Sequence, residues 1–383
     1  MAPKEHRLDA PEHAEAKLMP PIVENTKSLP LPNEIVSLIA DSAQDLIPLT
    51  LVSRQWYHAA QSRLHWRISV SSGASCKHWS RKFNKFPHLA SFVRVLELSD
   101  PDDDCLGSPY LRSQPAKTLV AALAGVTRLE IVDFVRWGPT EQRFVKSFCN
   151  LERLSVGRMP CMSRSKDLPV LVFSFPKLSG LMIYGDVGTK YNPEEAACII
   201  EAGHSLCRHL PSDGKPVRLT EVLSLSTADA CHDLLMWVSS PAFDLSKLQL
   251  LAMKWSDWPL GISRPATFPA RESLCARVGG TLSVLDLGHS NSGGSDIISF
   301  HLIASNLLSH FTVLTEIQLD LPDLPYRNRS ILHVTVSLLK TITAPCLRII
   351  KLNARSYVPV PSEWQLLDEL LVVEAGNVFL DPV

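Results

Sequence analysis

The chain lacks the features that most directly announce a compartment or a chemistry. Glycine is sparse, at 17 of 383 residues, and no Gly-rich phosphate loop, no G-x-S-x-G elbow and no H-E-x-x-H pair occurs. The nine cysteines are odd in number and have no short paired spacing, so no disulfide framework is expected. No stretch approaches the ~18 uncharged apolar residues of a membrane span, and the first residues hold no apolar core of a secretion signal, so an intracellular protein of cytoplasm or nucleus is expected. No sign of charge is in excess: 38 Lys and Arg face 39 Asp and Glu, which gives a net charge of -1. A global field toward nucleic acid or anionic lipid is thereby excluded, and neither is expected as a partner.

Leucine is abundant, at 56 residues, and its placement is regular. From Val93 onward, an apolar residue, two variable positions, an aliphatic, one variable position and a second aliphatic recur nine times. Examples are Val93-Leu96-Leu98, Val126-Leu129-Ile131, Leu151-Leu154-Val156, Leu178-Leu181-Ile183, Thr220-Leu223-Leu225, Leu282-Leu285-Leu287 and Leu347-Ile350-Leu352. The 254 residues from Val93 to Leu347 hold eight intervals, a mean of about 32. Helical patterns lie between the blocks, as in residues 118–126, 144–151, 273–280 and 298–311. One strand and one helix per unit predicts an α/β architecture, with a parallel sheet on one side and helices on the other. The residues flanking the second apolar position should either leave the sheet on its open face or pack beneath a covering helix: among them are Glu97, Arg128, Glu130, Arg153 and Met182, with Val222 and Ser224 in the fifth block. An insert is expected near 187–218, a closing helix at 363–374 and a last short strand after it.

Ahead of the blocks, residues 1–27 read as a flexible polar tail, and 28–70 as three short helices. Ile35, Leu38 and Ile39 share one stripe after Pro32, which suits a first helical turn. Asp45 can cap a second helix carrying Leu46, Leu49 and Val52, and Trp56, Ala59, Ala60 and Leu64 continue a third. Its apolar residues outnumber what a core of this size encloses, so a partner is expected to cover some of them.

Leu31, Pro32, Glu34, Ile35, Ile39, Asp45, Leu46, Leu49, Leu51, Val52, Ser53, Arg54 and Trp56 together resemble an F-box over about 40 residues. The connection between its first two helices is shorter than in that family. The blocks at 71–383 resemble the degenerate, helix-bearing leucine-rich repeats that follow many F-boxes, especially in fungal proteins. They lack the Asn or Cys that usually sits eight residues after the first leucine. The resemblance implies an N-terminal three-helix F-box followed by an irregular leucine-rich-repeat solenoid. It implies a substrate receptor that binds a Skp-family adaptor, and through it a cullin, by Leu31, Pro32, Ile35, Ile39, Leu46, Leu49, Val52 and Trp56. The repeats would hold a protein substrate, with Glu97, Arg128, Glu130, Arg153, Met182 and Tyr184 as contacts. A scaffold that uses the same parts without delivering anything for degradation is the alternative.

No catalytic residues and no cofactor are expected. The Cys198, His204, Cys207, His209 cluster lacks the hairpin spacing that folds around a tetrahedral zinc ion, and Asp102, Asp103 and Asp104 lack the Gly and later Glu of a calcium loop.

Overall fold

A computed structural model describes residues 31–43, 45–99, 109–134, 137–157, 167–184, 214–225, 237–255, 267–289, 306–321, 337–354, 365 and 379–382. The tail, the expected insert up to 213, the Cys/His cluster, the Asp102–Asp104 run and the expected closing helix apart from Gln365 lie outside them.

The first helices of the described residues are α1 (Asn33–Ser42) and α2 (Arg54–Leu64). There follow β1 (Arg67–Val70), α3 (Gly73–Lys85), α4 (Pro87–Ala90), β2 (Val95–Ser99), α5 (Gln114–Ala122), β3 (Arg128–Val132), α6 (Pro139–Lys146), β4 (Arg153–Gly157), α7 (Asp167–Val172) and β5 (Gly180–Tyr184). Next come β6 (Val217–Arg218), β7 (Glu221–Leu225), β8 (Phe243–Asp244), β9 (Leu250–Trp255), α8 (Thr267–Val278), β10 (Val284–His289), β11 (Glu316–Leu321), β12 (Ile349–Ala354) and β13 (Phe379–Pro382). All strands but β6 and β8 join one 11-stranded sheet whose spatial order is the order of the chain, and β6 and β8 pair separately. Every pairing is parallel. The fold is thus α/β with a parallel sheet, as the block pattern predicts.

The registers align the middle aliphatics into one row, Ile68, Leu96, Leu129, Leu154, Leu181, Val222, Leu251, Leu285, Ile317 and Ile350. All are buried, as are the residues three positions earlier from Val93 to Leu314, so successive units feed a continuous core with aliphatics at the same two positions. At roughly 1.5–3 kcal/mol per buried aliphatic, this repetition is the main stabilising term.

Two expectations change here. First, the row passes through Val222, not Leu223: Leu219 and Val222 are fully buried, so the fifth block is Leu219-Val222-Ser224. Both frames are apolar, and period 2 makes a one-residue slip exchange the faces. Val222 therefore does not reach the open face, and Glu221 takes a place there instead. Second, residues 67–70, read above as the end of the helical segment, form the first strand of the sheet.

A backbone ladder at the strand entries ties successive units together. The Trp66 carbonyl accepts from both Arg94 N–H and Val95 N–H, Arg94 from Thr127 and Arg128, Thr127 from Glu152 and Arg153, and Glu152 from Ser179 and Gly180. The same forked pair continues through Ser179, Thr220, Gln249, Ser283 and Thr315, each N···O distance between 2.7 and 3.2 Å. Four hydroxyls reinforce it, with Ser179, Thr220, Ser283 and Thr315 each donating to the carbonyl one unit back. The ladder satisfies carbonyls that would otherwise be left over where helix turns into strand.

Candidate docking surfaces

The helical segment is held by a small core and by polar ties. Val36 and Ala40 of α1 and Ala60 of α2 are buried, and they lie outside the continuous core that begins at Ile68. Small residues at this seam let the helix backbones approach closely. Gln55 Nε2 donates to the Leu31 carbonyl (2.7 Å) and to Asn33 Oδ1 (2.8 Å) at one end, and Arg63 pairs with Asp41 at the other. The two helices therefore run side by side in the same direction.

The expected second helix is a single 3-10 turn, Pro48–Leu51. Asp45 Oδ1 accepts from Ile47 N–H, Thr50 Oγ1 donates to the Ile47 carbonyl, and Ser53 is extended at φ -162 to start α2. These local bonds compete with helical ones and leave room for one turn only. Pro32 likewise stands at the N-cap of α1, not inside its first turn.

The large apolar side chains of this segment point away from its core. Leu31, Ile35, Leu38, Ile39, Ile47, Leu51, Val52 and Tyr57 are exposed, eight of the twelve large hydrophobics exposed among the described residues. Leu51 reaches 84 %. Of the residues read as an adaptor site, Leu31, Pro32, Ile35, Ile39 and Val52 are exposed, whereas Leu46, Leu49 and Trp56 are half-buried. Sequence reading missed Leu38, Ile47, Leu51 and Tyr57 as members of this surface. The helical period marks a stripe but not its direction: the interior of α1 is the smaller Val36/Ala40 stripe, and Ile35, Leu38 and Ile39 form the outer one.

The open face of the sheet carries a different chemistry. Arg67 pairs with Glu97 and Glu130, Arg128 Nε lies 2.9 Å from Glu130 Oε1, and Lys351 Nζ lies 2.7 Å from Glu316 Oε1. Arg153 Nη2 reaches Glu221 Oε1 at 2.7 Å, two strands away, by crossing Gly180, where an added Cβ would stand 2.9 Å from Arg153 Cγ. Glu97, Arg128, Glu130, Arg153 and Met182 do share this face. As substrate contacts the charged ones are already engaged: Glu130 is buried between two arginines, Glu97 and Arg128 are partly covered and paired, and Arg153 is bound to Glu221. Adjacent strands bring opposite charges within reach, so the side chains satisfy one another. Tyr184 ends β5, and its side chain lies outside the described residues.

Among the described residues no group of three or more His, Cys, Asp or Glu is placed to hold a metal, and no helix is long and apolar enough to cross a membrane. No known protein family's profile matches the chain, and no curated protein is significantly similar to it.

Proposed function

We propose that this chain is an F-box substrate receptor: α1, the 3-10 turn and α2 dock on a Skp-family adaptor of a cullin-based ubiquitin ligase, and the sheet units form a leucine-rich-repeat solenoid that holds a protein for ubiquitination. The observation that carries the reading is the surface of eight large hydrophobics between Leu31 and Tyr57 on a segment with a core of its own. Apolar surface concentrated in this way marks a protein interaction site, and a few anchors buried at its centre carry most of the affinity. The forked backbone ladder supports the repeat reading, since each unit binds the next by the same bonds. The chain performs no covalent chemistry; it raises the effective concentration of substrate beside the conjugating enzyme.

The test is titration of a purified Skp-family adaptor against the full chain and against a variant with Ile35, Ile39 and Leu51 changed to Ser. We expect binding by the wild type and a loss of about two orders of magnitude or more, since each missing anchor costs roughly 1–2 kcal/mol and 1.4 kcal/mol is tenfold. Circular dichroism of the variant should be unchanged, because none of the three is buried. No adaptor binding by the wild type sinks the receptor reading. Adaptor binding without cullin recruitment favours the scaffold.

A further inference from the structure

We infer that the outer face of α3 is a binding surface for single-stranded nucleic acid. The near-neutral total charge conceals a strong segregation: between Leu46 and Leu96 there is no Asp or Glu, against eight Lys or Arg and four His. Arg63 and Arg67 of this stretch are taken up by Asp41, Glu97 and Glu130, and Arg94 by backbone carbonyls. The basic residues of α3 are not used in this way. Cys76, Ser80 and Phe83 anchor the helix in the core, which turns Lys77, His78, Arg81, Lys82 and Lys85 onto the opposite arc of about 140°. All are exposed except Lys82, which is half-buried with its Nζ 5.0 Å from the Trp79 ring centre. Among the described residues no carboxylate pairs with Lys77, Arg81, Lys82 or Lys85. Lys77, Arg81 and Lys85 repeat at i, i+4 and i+8, a spacing at which like charges destabilise a helix by a few tenths of a kcal/mol each, and at which Glu would stabilise it. The neighbouring helix α5, packed against α3, adds exposed Lys117, and 109–129 again contains no Asp or Glu.

The chemistry of the arc selects the ligand. Between Lys77 and Lys85 it presents cations about 6 Å apart along the axis, a spacing suited to successive phosphates of one strand. Apart from Phe86 at its end it exposes no large hydrophobic side chain, and lysine, its main cation, is depleted in protein–protein interfaces. At its end the Phe86 ring is 41 % exposed, with Lys85 Nζ 5.1 Å from its centre and the His88 ring edge-on at 6.3 Å. A row of cations that ends in an accessible ring is the arrangement that tracks a backbone and stacks an unpaired base.

The experiment is fluorescence anisotropy with labelled oligouridylate and full-length protein across a salt series. Wild type should bind with a log–log salt dependence, and K77Q/R81Q/K85Q should lower affinity at least tenfold at low salt and reduce the slope by about two, at roughly 0.7 for each phosphate no longer neutralised. Phe86→Ala should weaken the single strand about fivefold or more while leaving a duplex of the same length unaffected. Lys77, Arg81, Lys85 and Phe86 lie outside the adaptor surface, so adaptor titration is unchanged in these variants and the two proposals fail independently. An unaltered slope in the triple variant, no effect of Phe86→Ala, or displacement of the oligonucleotide by polyglutamate at equal charge concentration overturns the assignment, the last in favour of an acidic protein segment. So does a large gain in affinity when Asp102, Asp103 and Asp104 are changed to Asn, which would make the arc's occupant part of this chain.

Discussion

The helical segment at 31–64 and the sheet that follows it solve the problem of apolar surface in opposite ways. In the sheet, aliphatics that recur at the same positions of each unit are covered by the next unit, and the middle row from Ile68 to Ile350 is 0–3 % exposed. In the helical segment the buried positions are Val36, Ala40 and Ala60, and the larger Ile35, Leu38, Ile39 and Leu51 stand in solvent. A repeat buries its surface against itself, so its apolar residues report stability. A segment this short has no second layer, so its apolar residues report a partner.

The largest effect should come from testing that contrast directly. Leu129 is fully buried in the third strand, and Leu129→Ala should cost about 2–5 kcal/mol, read as a lowered urea midpoint. Leu51→Ala removes the same atoms from a side chain that is 84 % exposed, and should move the midpoint by no more than about 0.5 kcal/mol. Equal losses in the two variants would mean that the helical segment owes its fold to Leu51 and that the contrast is false.

An intermediate effect is expected on the open face, where polar residues divide in the same manner. Glu130 keeps a side chain only 6 % exposed between Arg67 and Arg128, and Glu130→Gln should destabilise by roughly 1–3 kcal/mol because it takes the buried carboxylate from beside Arg128 and leaves Arg67 with Glu97. Glu97→Gln removes a carboxylate that is 26 % exposed and should cost about 0–1 kcal/mol. Thermal midpoints of both variants at low and high salt check this, with Glu97→Gln the more salt-sensitive.

The division of the chain explains what its sequence discloses. The i, i+3, i+5 wedge is legible because most units repeat it, and a parallel α/β sheet follows from a strand and a helix per unit. Where a unit departs from the wedge the reading fails locally: Thr220-Leu223-Leu225 and Leu219-Val222 are both plausible in isolation, and only pairing with β5 and β9 decides between them. The ladder at the strand entries leaves no trace in side chains beyond scattered Ser and Thr, since its donors are backbone N–H groups. Exposure of the α1 stripe was hidden by size, because Val36 and Ala40 are weaker signals than Ile35, Leu38 and Ile39. The basic arc of α3 was hidden by averaging, since a net charge of -1 says nothing about 51 consecutive residues without a carboxylate.

The smallest effect sharpens the comparison at the joint between the two regions. His65 caps the end of α2 and is 5 % exposed, its Nδ1 3.1 Å from the Gln61 carbonyl and its ring edge-on to Trp79 at 6.2 Å. Trp79 belongs to α3 and donates through Nε1 to the Ser69 carbonyl of β1, so His65 bridges the helical segment and the sheet. Burial lowers the affinity of the ring for a proton; the bond to Gln61 acts the other way, and Lys82 and His88 add to the lowering. In the unfolded chain His65 titrates near ~6.5. Below that pH the unfolded state binds a proton that the folded state resists, so stability is fully present above about 6.5 and falls as the pH drops through this window. Asp244 contributes in a separate range: hydrogen bonds from Ser246, with Arg218 beside it, hold its carboxyl down at about 2, so its share is lost only below about 4. His65→Phe keeps a ring against Trp79 but no proton, and should flatten the decline of the urea midpoint between about pH 7 and pH 5. If wild type and His65→Phe decline in parallel over that range, the joint does not sense protons through His65. If Asp244→Asn flattens it instead, the carboxylate, not the imidazole, governs stability near neutrality.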